Sequence, residues 1–167
     1  TISAVAVKGD YVFLVEYHNG LYVIDVSDKN TPSIIANVTG FNANDIKLLG
    51  DYAYISTRYE GFRIYDVSNP NDLVLLAKSD DAPGYAEGIY PTTNYTYVTV
   101  TTLGLAIWNT SNLSNPIYMG HIKSNGVTRS FAVNGDYVIS GGDYGIWVVN
   151  ISDPWNPVEI AYLNTNG

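Results

Sequence analysis

One eight-residue pattern, glycine followed by alternating apolar residues and closing on Asp or Asn, any residue, then Ser, occurs four times in this chain. The copies are Gly20-Leu-Tyr-Val-Ile-Asp-Val-Ser27, Gly61-Phe-Arg-Ile-Tyr-Asp-Val-Ser68, Gly104-Leu-Ala-Ile-Trp-Asn-Thr-Ser111 and Gly145-Ile-Trp-Val-Val-Asn-Ile-Ser152. Their leading glycines are 41, 43 and 41 residues apart. A second motif keeps step, as Gly9-Asp10-Tyr11, Gly50-Asp51-Tyr52, Thr93-Asn94-Tyr95 and Gly135-Asp136-Tyr137. Two motifs locked to one period mean that the chain is four copies of one supersecondary unit.

Each unit divides into four short apolar runs separated by turn signals. In the first these are 2–7, 11–16, 21–26 and 33–38. Gly9-Asp10 suits a tight hairpin, and the polar Ser27–Pro32 stretch a longer connection. The middle runs, such as Val12-Phe13-Leu14-Val15, are apolar at both alternating positions, which demands a sheet covered on both faces. Blades stacked face to face around an axis meet that demand; a parallel β-helix would as well, but its coils are shorter. The reading is an all-β fold, a β-propeller of four four-stranded antiparallel blades over 1–167, with blades at 2–43, 44–86, 87–128 and 129–167.

The stretches ending in -VIDVS, -IYDVS, -IWNTS and -VVNIS resemble the LVIVD repeat, a propeller-forming repeat of bacterial and archaeal surface proteins. The resemblance covers essentially the whole chain and departs from the pattern where Asn109 and Asn150 replace Asp. It implies a propeller fold and an extracellular or cell-surface location, and no particular reaction.

Composition excludes several classes of function. The net charge is −8, with five Lys and three Arg, so the chain cannot build the clustered basic face that a nucleic-acid backbone requires. No run of 18 apolar residues is present, so no helical membrane insertion is expected. The absence of cysteine removes disulfides, thiolate metal sites and thiol catalysis. No metal or other cofactor is expected. Without an initiator Met at Thr1, the chain reads as a mature or excised portion of something longer.

Asp25, Asp66, Asn109 and Asn150 share one repeated position, where a short polar side chain hydrogen-bonds the backbone of the following turn. The repeated Tyr11, Tyr52, Tyr95 and Tyr137 are assigned to packing between blades. Ser3, Asn44, Glu87 and Arg129 open the four inner strands and differ from one another while their neighbours repeat. Variation at one rim of a fixed scaffold marks a grafted site, in which Glu87 and Arg129 would pair across the opening. Loops on the same side add Tyr17, His18, Arg58, Tyr59, Glu60, Asp80, Asp81, Tyr85, Asp143 and Tyr144, a mixture of aromatic, acidic and basic groups that suits a polar ligand such as a glycan, with Arg58 and His18 anchoring an acidic group.

The expected function is an extracellular, non-enzymatic module for protein or glycan binding and surface assembly. Two alternatives are a glycan-directed enzyme or lectin using rim carboxylates and aromatics, and a structural subunit of a surface layer or filament. Five Asn-x-Ser/Thr sequons, at Asn37, Asn94, Asn109, Asn112 and Asn150, are candidate glycosylation sites, with Asn37 and Asn112 the most accessible by position. Four complete blades leave no spare strand to latch a ring, so self-assembly or further blades of a parent chain are expected to complete a larger one.

Overall fold

The computed structural model describes residues 1–79, 84–124 and 128–165; the side chain of Arg129 lies outside the description. Sixteen strands follow in order. The first repeat gives β1 (Ile2–Lys8), β2 (Tyr11–Glu16), β3 (Gly20–Asp25) and β4 (Ser33–Val38). The second gives β5 (Ala43–Leu49), β6 (Tyr52–Thr57), β7 (Phe62–Asp66) and β8 (Val74–Ser79). The third gives β9 (Ala86–Pro91), β10 (Tyr95–Val100), β11 (Gly104–Asn109) and β12 (Ile117–Ile122), and the fourth β13 (Thr128–Asn134), β14 (Tyr137–Gly142), β15 (Gly145–Asn150) and β16 (Val158–Asn164). Each set of four is a separate antiparallel sheet in chain order. Backbone pairing therefore stays inside each repeat, which is the arrangement of propeller blades and not of a β-helix, whose sheets join strands of successive coils.

The inner strands pack in series, β1 against β5, β5 against β9 and β9 against β13. Among the described residues three apolar cores fill the spaces between neighbouring blades. The first is centred on Phe13, Leu21, Ile46 and Ile55, the second on Tyr54, Phe62, Ile89 and Trp108, and the third on Leu105, Ile107, Val138 and Trp147. Tyr11, Tyr52 and Tyr95 pack against these three cores in turn, as their recurrence suggested. Tyr137, the fourth member, is exposed.

The polar end of the repeated motif has a concrete job. Asp25, Asp66, Asn109 and Asn150 each accept, through Oδ1, the backbone N–H two residues on, at 2.8, 2.8, 3.0 and 2.8 Å. A second such turn follows in every blade, closed by Asp28, Asn69, Asn112 and Asp153 on the N–H groups of Asn30, Asn71, Ser114 and Trp155. The two turns lead the chain from the third strand to the start of the fourth while satisfying backbone donors that would otherwise rely on water.

These bonds favour the ionised acid. The Ser27 backbone N–H holds the Asp25 carboxyl below its ordinary value, the Asn30 N–H does so for Asp28, and Ser68 does so for Asp66. A carboxylate whose folded pKa is depressed stabilises the fold above its unfolded value, and that contribution disappears as the pH falls through the folded value. The urea midpoint is therefore expected to fall on acidification from pH 5 to pH 3. Asp25→Asn combined with Asp66→Asn should shrink that fall while leaving the neutral-pH midpoint nearly unchanged, because Asn109 and Asn150 already close the same turn. An acid response identical in the double variant would remove these two groups as its source.

Candidate functional site

The four inner strands carry the same irregularity at the same place. In β1 the register with β2 skips Ser3, in β5 that with β6 skips Asn44, and in β13 that with β14 skips Arg129. In β9, Glu87 and Gly88 together face the single residue Thr99. Each is a β-bulge, in which an extra residue bends the strand and re-aims its side chain. The strands begin one residue before the varied positions, at Ile2, Ala43, Ala86 and Thr128, the first of them where the sequence places it. The varied positions are thus second residues held in bulges, not first residues.

Two of the bulges are locked from behind. Asp45 N–H donates to Ser56 Oγ at 2.9 Å, and Gly88 N–H to Thr99 Oγ1 at 2.9 Å, so a buried hydroxyl on the neighbouring strand takes the amide that the bulge releases from the ladder. Ser56 Oγ in turn donates to the Glu87 carbonyl at 2.8 Å, tying the second blade to the third. Asn44 Nδ2 donates to the Ala86 carbonyl at 2.7 Å and lies 3.5 Å from Glu87 Oε2.

These residues line a central cleft of about 350 Å³, to which all four inner strands contribute: Ser3 and Ala4, Asn44, Asp45 and Lys47, Glu87, Gly88 and Ile89, and Ser130 and Phe131. Asp45 organises its wall, accepting from Ile46 N–H at 2.8 Å, Lys47 Nζ at 3.0 Å and, across the blade boundary, Ile89 N–H at 3.3 Å. Asp45, Lys47 and Ser56 escaped the sequence reading. Their only signal was that the Asp45 position, like its neighbour, varies between repeats, as Ala4, Asp45, Gly88 and Ser130. At Gly88 an added Cβ would come within 3.1 Å of the Phe131 ring, so glycine permits the close approach of β13.

A second cluster sits where the hairpin turns meet the starts of the inner strands. The Arg58 guanidinium carbon lies 4.8 Å from the ring centres of both Tyr17 and Tyr85 and 5.6 Å from that of Tyr59. Three consecutive blades thus supply aromatic faces to one cation. Tyr59 and Tyr85 also meet edge to face at 5.1 Å, and His18 stands edge-on to Tyr17 while its Nδ1 lies 3.3 Å from Asn42 Oδ1. Among the described residues, the buried Arg58 Nε and Thr57 Oγ1 have no hydrogen-bond partner. Thr57 lines a small adjoining cleft of about 80 Å³ with Asn42, Tyr59 and Glu60. Cation–π contacts contribute roughly 0.5–2 kcal/mol each according to exposure. Arg58→Met, which keeps the stem and removes the charge, is therefore expected to cost about 1–2 kcal/mol in urea unfolding; an unchanged midpoint would show that the rings hold Arg58 only as a spacer.

The structure thus gathers His18, Arg58, Tyr59 and Tyr85 in one cluster and Ser3, Asn44 and Glu87 in one cleft. Tyr144 is exposed on the turn between β14 and β15 and joins none of the ring contacts among the described residues. Glu60 is engaged by Arg63 at 2.6 Å. Asp80 and Asp81 lie outside the described residues, and so does the Arg129 side chain on which a Glu87–Arg129 pair depends. Of the sequons, Asn37, Asn94 and Asn112 are exposed, whereas Asn109 and Asn150 are half-buried in their turns.

A family model described as the LVIVD repeat matches the chain four times, over residues 2–40, 40–81, 83–123 and 125–165. No curated protein matches its sequence. Among solved structures, the computationally designed Ika4 protein is similar with a TM-score of 0.74 at 10% identity, over 90% of this chain and 91% of that one. The designed Ika8 protein aligns with a TM-score of 0.75 at 13% identity, over 97% of this chain but 48% of that one. A functionally unknown protein from Desulfotomaculum acetoxidans DSM 771 aligns with a TM-score of 0.76 at 15% identity, over 99% of this chain and 57% of its own length. This chain therefore spans about half the length of two of these three, and the likenesses are of fold.

Proposed function

From the premise that this chain belongs to the LVIVD repeat family, we propose that it is a non-enzymatic propeller module at a prokaryotic cell surface that binds a polar ligand, a glycan or a protein loop, at its inner rim. The observation that carries this reading is the cleft of about 350 Å³ built from bulged residues of successive blades. A bulge repeated at one register, backed by a buried hydroxyl in the second and third blades, re-aims a side chain whose identity varies as Ser3, Asn44 and Glu87. That combination suits recognition, since the supporting shell is fixed and the contacting groups are free to differ. The Arg58 cluster beside it adds tyrosine faces for a sugar ring and a cation already held in place for an acidic group.

The test is a glycan and peptide array probed with the natural chain, followed by calorimetry on whatever is captured. Asn44→Ala combined with Glu87→Ala should weaken capture about tenfold or more, the equivalent of roughly 1.4 kcal/mol, with the thermal midpoint little changed. Undiminished affinity in the double variant would move the site elsewhere. The surface location is supported by the family resemblance and by exposed sequons. Peptide mapping of natively produced material is expected to find glycan on Asn37, exposed on β4, if the host glycosylates; bare asparagine at all five positions would withdraw that expectation.

A further inference from the structure

Every blade of this chain has two unlike faces. One, the leading face, packs on the preceding blade; the other, the trailing face, receives the next. The series stops at both ends of the array. On the leading face, Ile46 and Ile89 are each 1% exposed and Phe131 packs against the third core, while their first-blade counterpart, Val5, is 57% exposed. On the trailing face, Leu21, Phe62 and Leu105 are each 0% exposed, while their fourth-blade counterpart, Ile146, is 41% exposed. Ile139 is likewise exposed where Phe13, Tyr54 and Tyr97 are buried.

The outer strands repeat the observation. Each carries a bulge in its pairing with the third strand, leaving Ile35, Leu76, Met119 and Ile160 as the extra residues. The first three pack against the core shared with the following blade. Ile160 is exposed. Residues that fold into an interblade core in three blades thus stand in solvent at both ends of the array, and apolar surface of this kind drives association.

We propose that a second copy of this chain covers both faces, the fourth blade of each copy packing on the first blade of the other, to close an eight-blade ring. The exposed leading face of the first blade and the exposed trailing face of the fourth are the two complementary halves of an interface the chain already makes three times. Such a head-to-tail contact closes when the rotations complete a full turn and otherwise grows into an open polymer. Two copies supply eight blades, within the number that propeller rings use. The four blades superpose along nearly their whole length on about half of a longer chain, and propellers reach about eight blades. The second copy also completes the cleft, bringing another Ser3, Asn44 and Glu87 to the same central space.

Light scattering on the purified chain is expected to give a discrete species of twice 18.3 kDa that dissociates only on dilution. Ile146→Asp sets an unpaired carboxylate into the new contact and should weaken the dimer about a hundredfold or more, with the circular dichroism of the blades unchanged because the position is solvent-exposed in the single copy. A monomer at high concentration, or an open-ended polymer, would overturn the proposal. A second arm needs no destabilising change. The chain has no native cysteine, so Asp10→Cys and Asn134→Cys in one molecule report cleanly with a short bis-maleimide. These exposed positions, one in the first hairpin turn and one at the end of β13, correspond to Asp51 and Lys8, which form an ion pair across the first blade boundary. Cross-linked dimers are expected; cross-linking within one copy would show a four-blade ring and refute the second copy. Neither arm depends on a ligand, so this inference and the rim-binding reading fail separately.

Discussion

Trp108→Ala is expected to lower the free energy of unfolding by about 3–5 kcal/mol, a large fraction of the roughly 5–15 kcal/mol that holds an ordinary domain together. Trp108 is the largest fully buried side chain in the protein. It projects from β11 into the core between the second and third blades, edge to face with Phe62 at 5.2 Å and tilted on Tyr118 at 5.1 Å. Its neighbours, among them Phe62, Ile64, Ile89 and Val98, are anchored on the strands of two blades and fill only part of the space a missing indole would leave. Among the described residues its buried Nε1–H has no hydrogen-bond partner, so the side chain stabilises this core through its volume and not through its polar handle. Trp108→Phe should accordingly cost much less, about 1.5 kcal/mol or below, because the smaller cavity is offset by removing an unsatisfied donor. Urea denaturation of both variants checks this. If alanine and phenylalanine cost the same, the cavity argument fails and the indole N–H has a partner in solution.

Much of the fold was legible because the repeat imposes redundancy. A single apolar run such as Val12-Phe13-Leu14-Val15 is ambiguous, but four runs in phase with four Gly-Asp-Tyr or Thr-Asn-Tyr turns are not. The third repeat illustrates how the structure tolerates a departure. Where the others place glycine in the first hairpin, at φ 58, 60 and 57, it has Thr93-Asn94, and Thr92 Oγ1 closes the turn by accepting from Tyr95 N–H at 3.1 Å. The bulges were not legible. Their signature is an extra residue that shifts every later side chain by one, and in strands apolar on both faces such a shift leaves the hydrophobic pattern intact.

The candidate site was half legible for a related reason. Variation at Ser3, Asn44, Glu87 and Arg129 stood out against repeating neighbours, and four loops carrying Tyr17, Tyr59, Tyr85 and Tyr144 marked the rim. The hydrogen-bonded shell behind the cleft did not stand out. Ser56 and Thr99 look like ordinary strand residues, since Val15 and Gly141 fill the same position in the other blades. Their role depends on which amide the bulge frees, and that is a property of the pairing register and not of the local sequence. The convergence of Tyr17, Arg58 and Tyr85 is equally non-local, because it joins loops 41 and 27 residues apart in the chain.

Gly104→Ala is expected to destabilise by more than about 3 kcal/mol, and Gly50→Ala by only about 1–2 kcal/mol, although both glycines recur and both have positive φ, +85° and +60°. The left-handed backbone alone accounts for the smaller figure. At Gly50 an added Cβ meets nothing within 4 Å, so the conformational term is the whole cost. At Gly104 the same Cβ would run into the Ile122 carbonyl oxygen and come within 3.0 Å of the Lys123 carbonyl carbon. Both belong to the backbone at the end of β12, which cannot swing aside as a side chain would. Gly20 and Gly145 meet the Val38 and Leu163 carbonyls in the same way. The leading glycine of the repeated motif therefore keeps the third strand close enough to the fourth for their ladder to start, a steric requirement on top of the conformational one. Thermal or urea unfolding of the two single variants separates the terms. Equal losses would mean that the strand ends part at little cost, and that the motif's glycine is held by its φ alone.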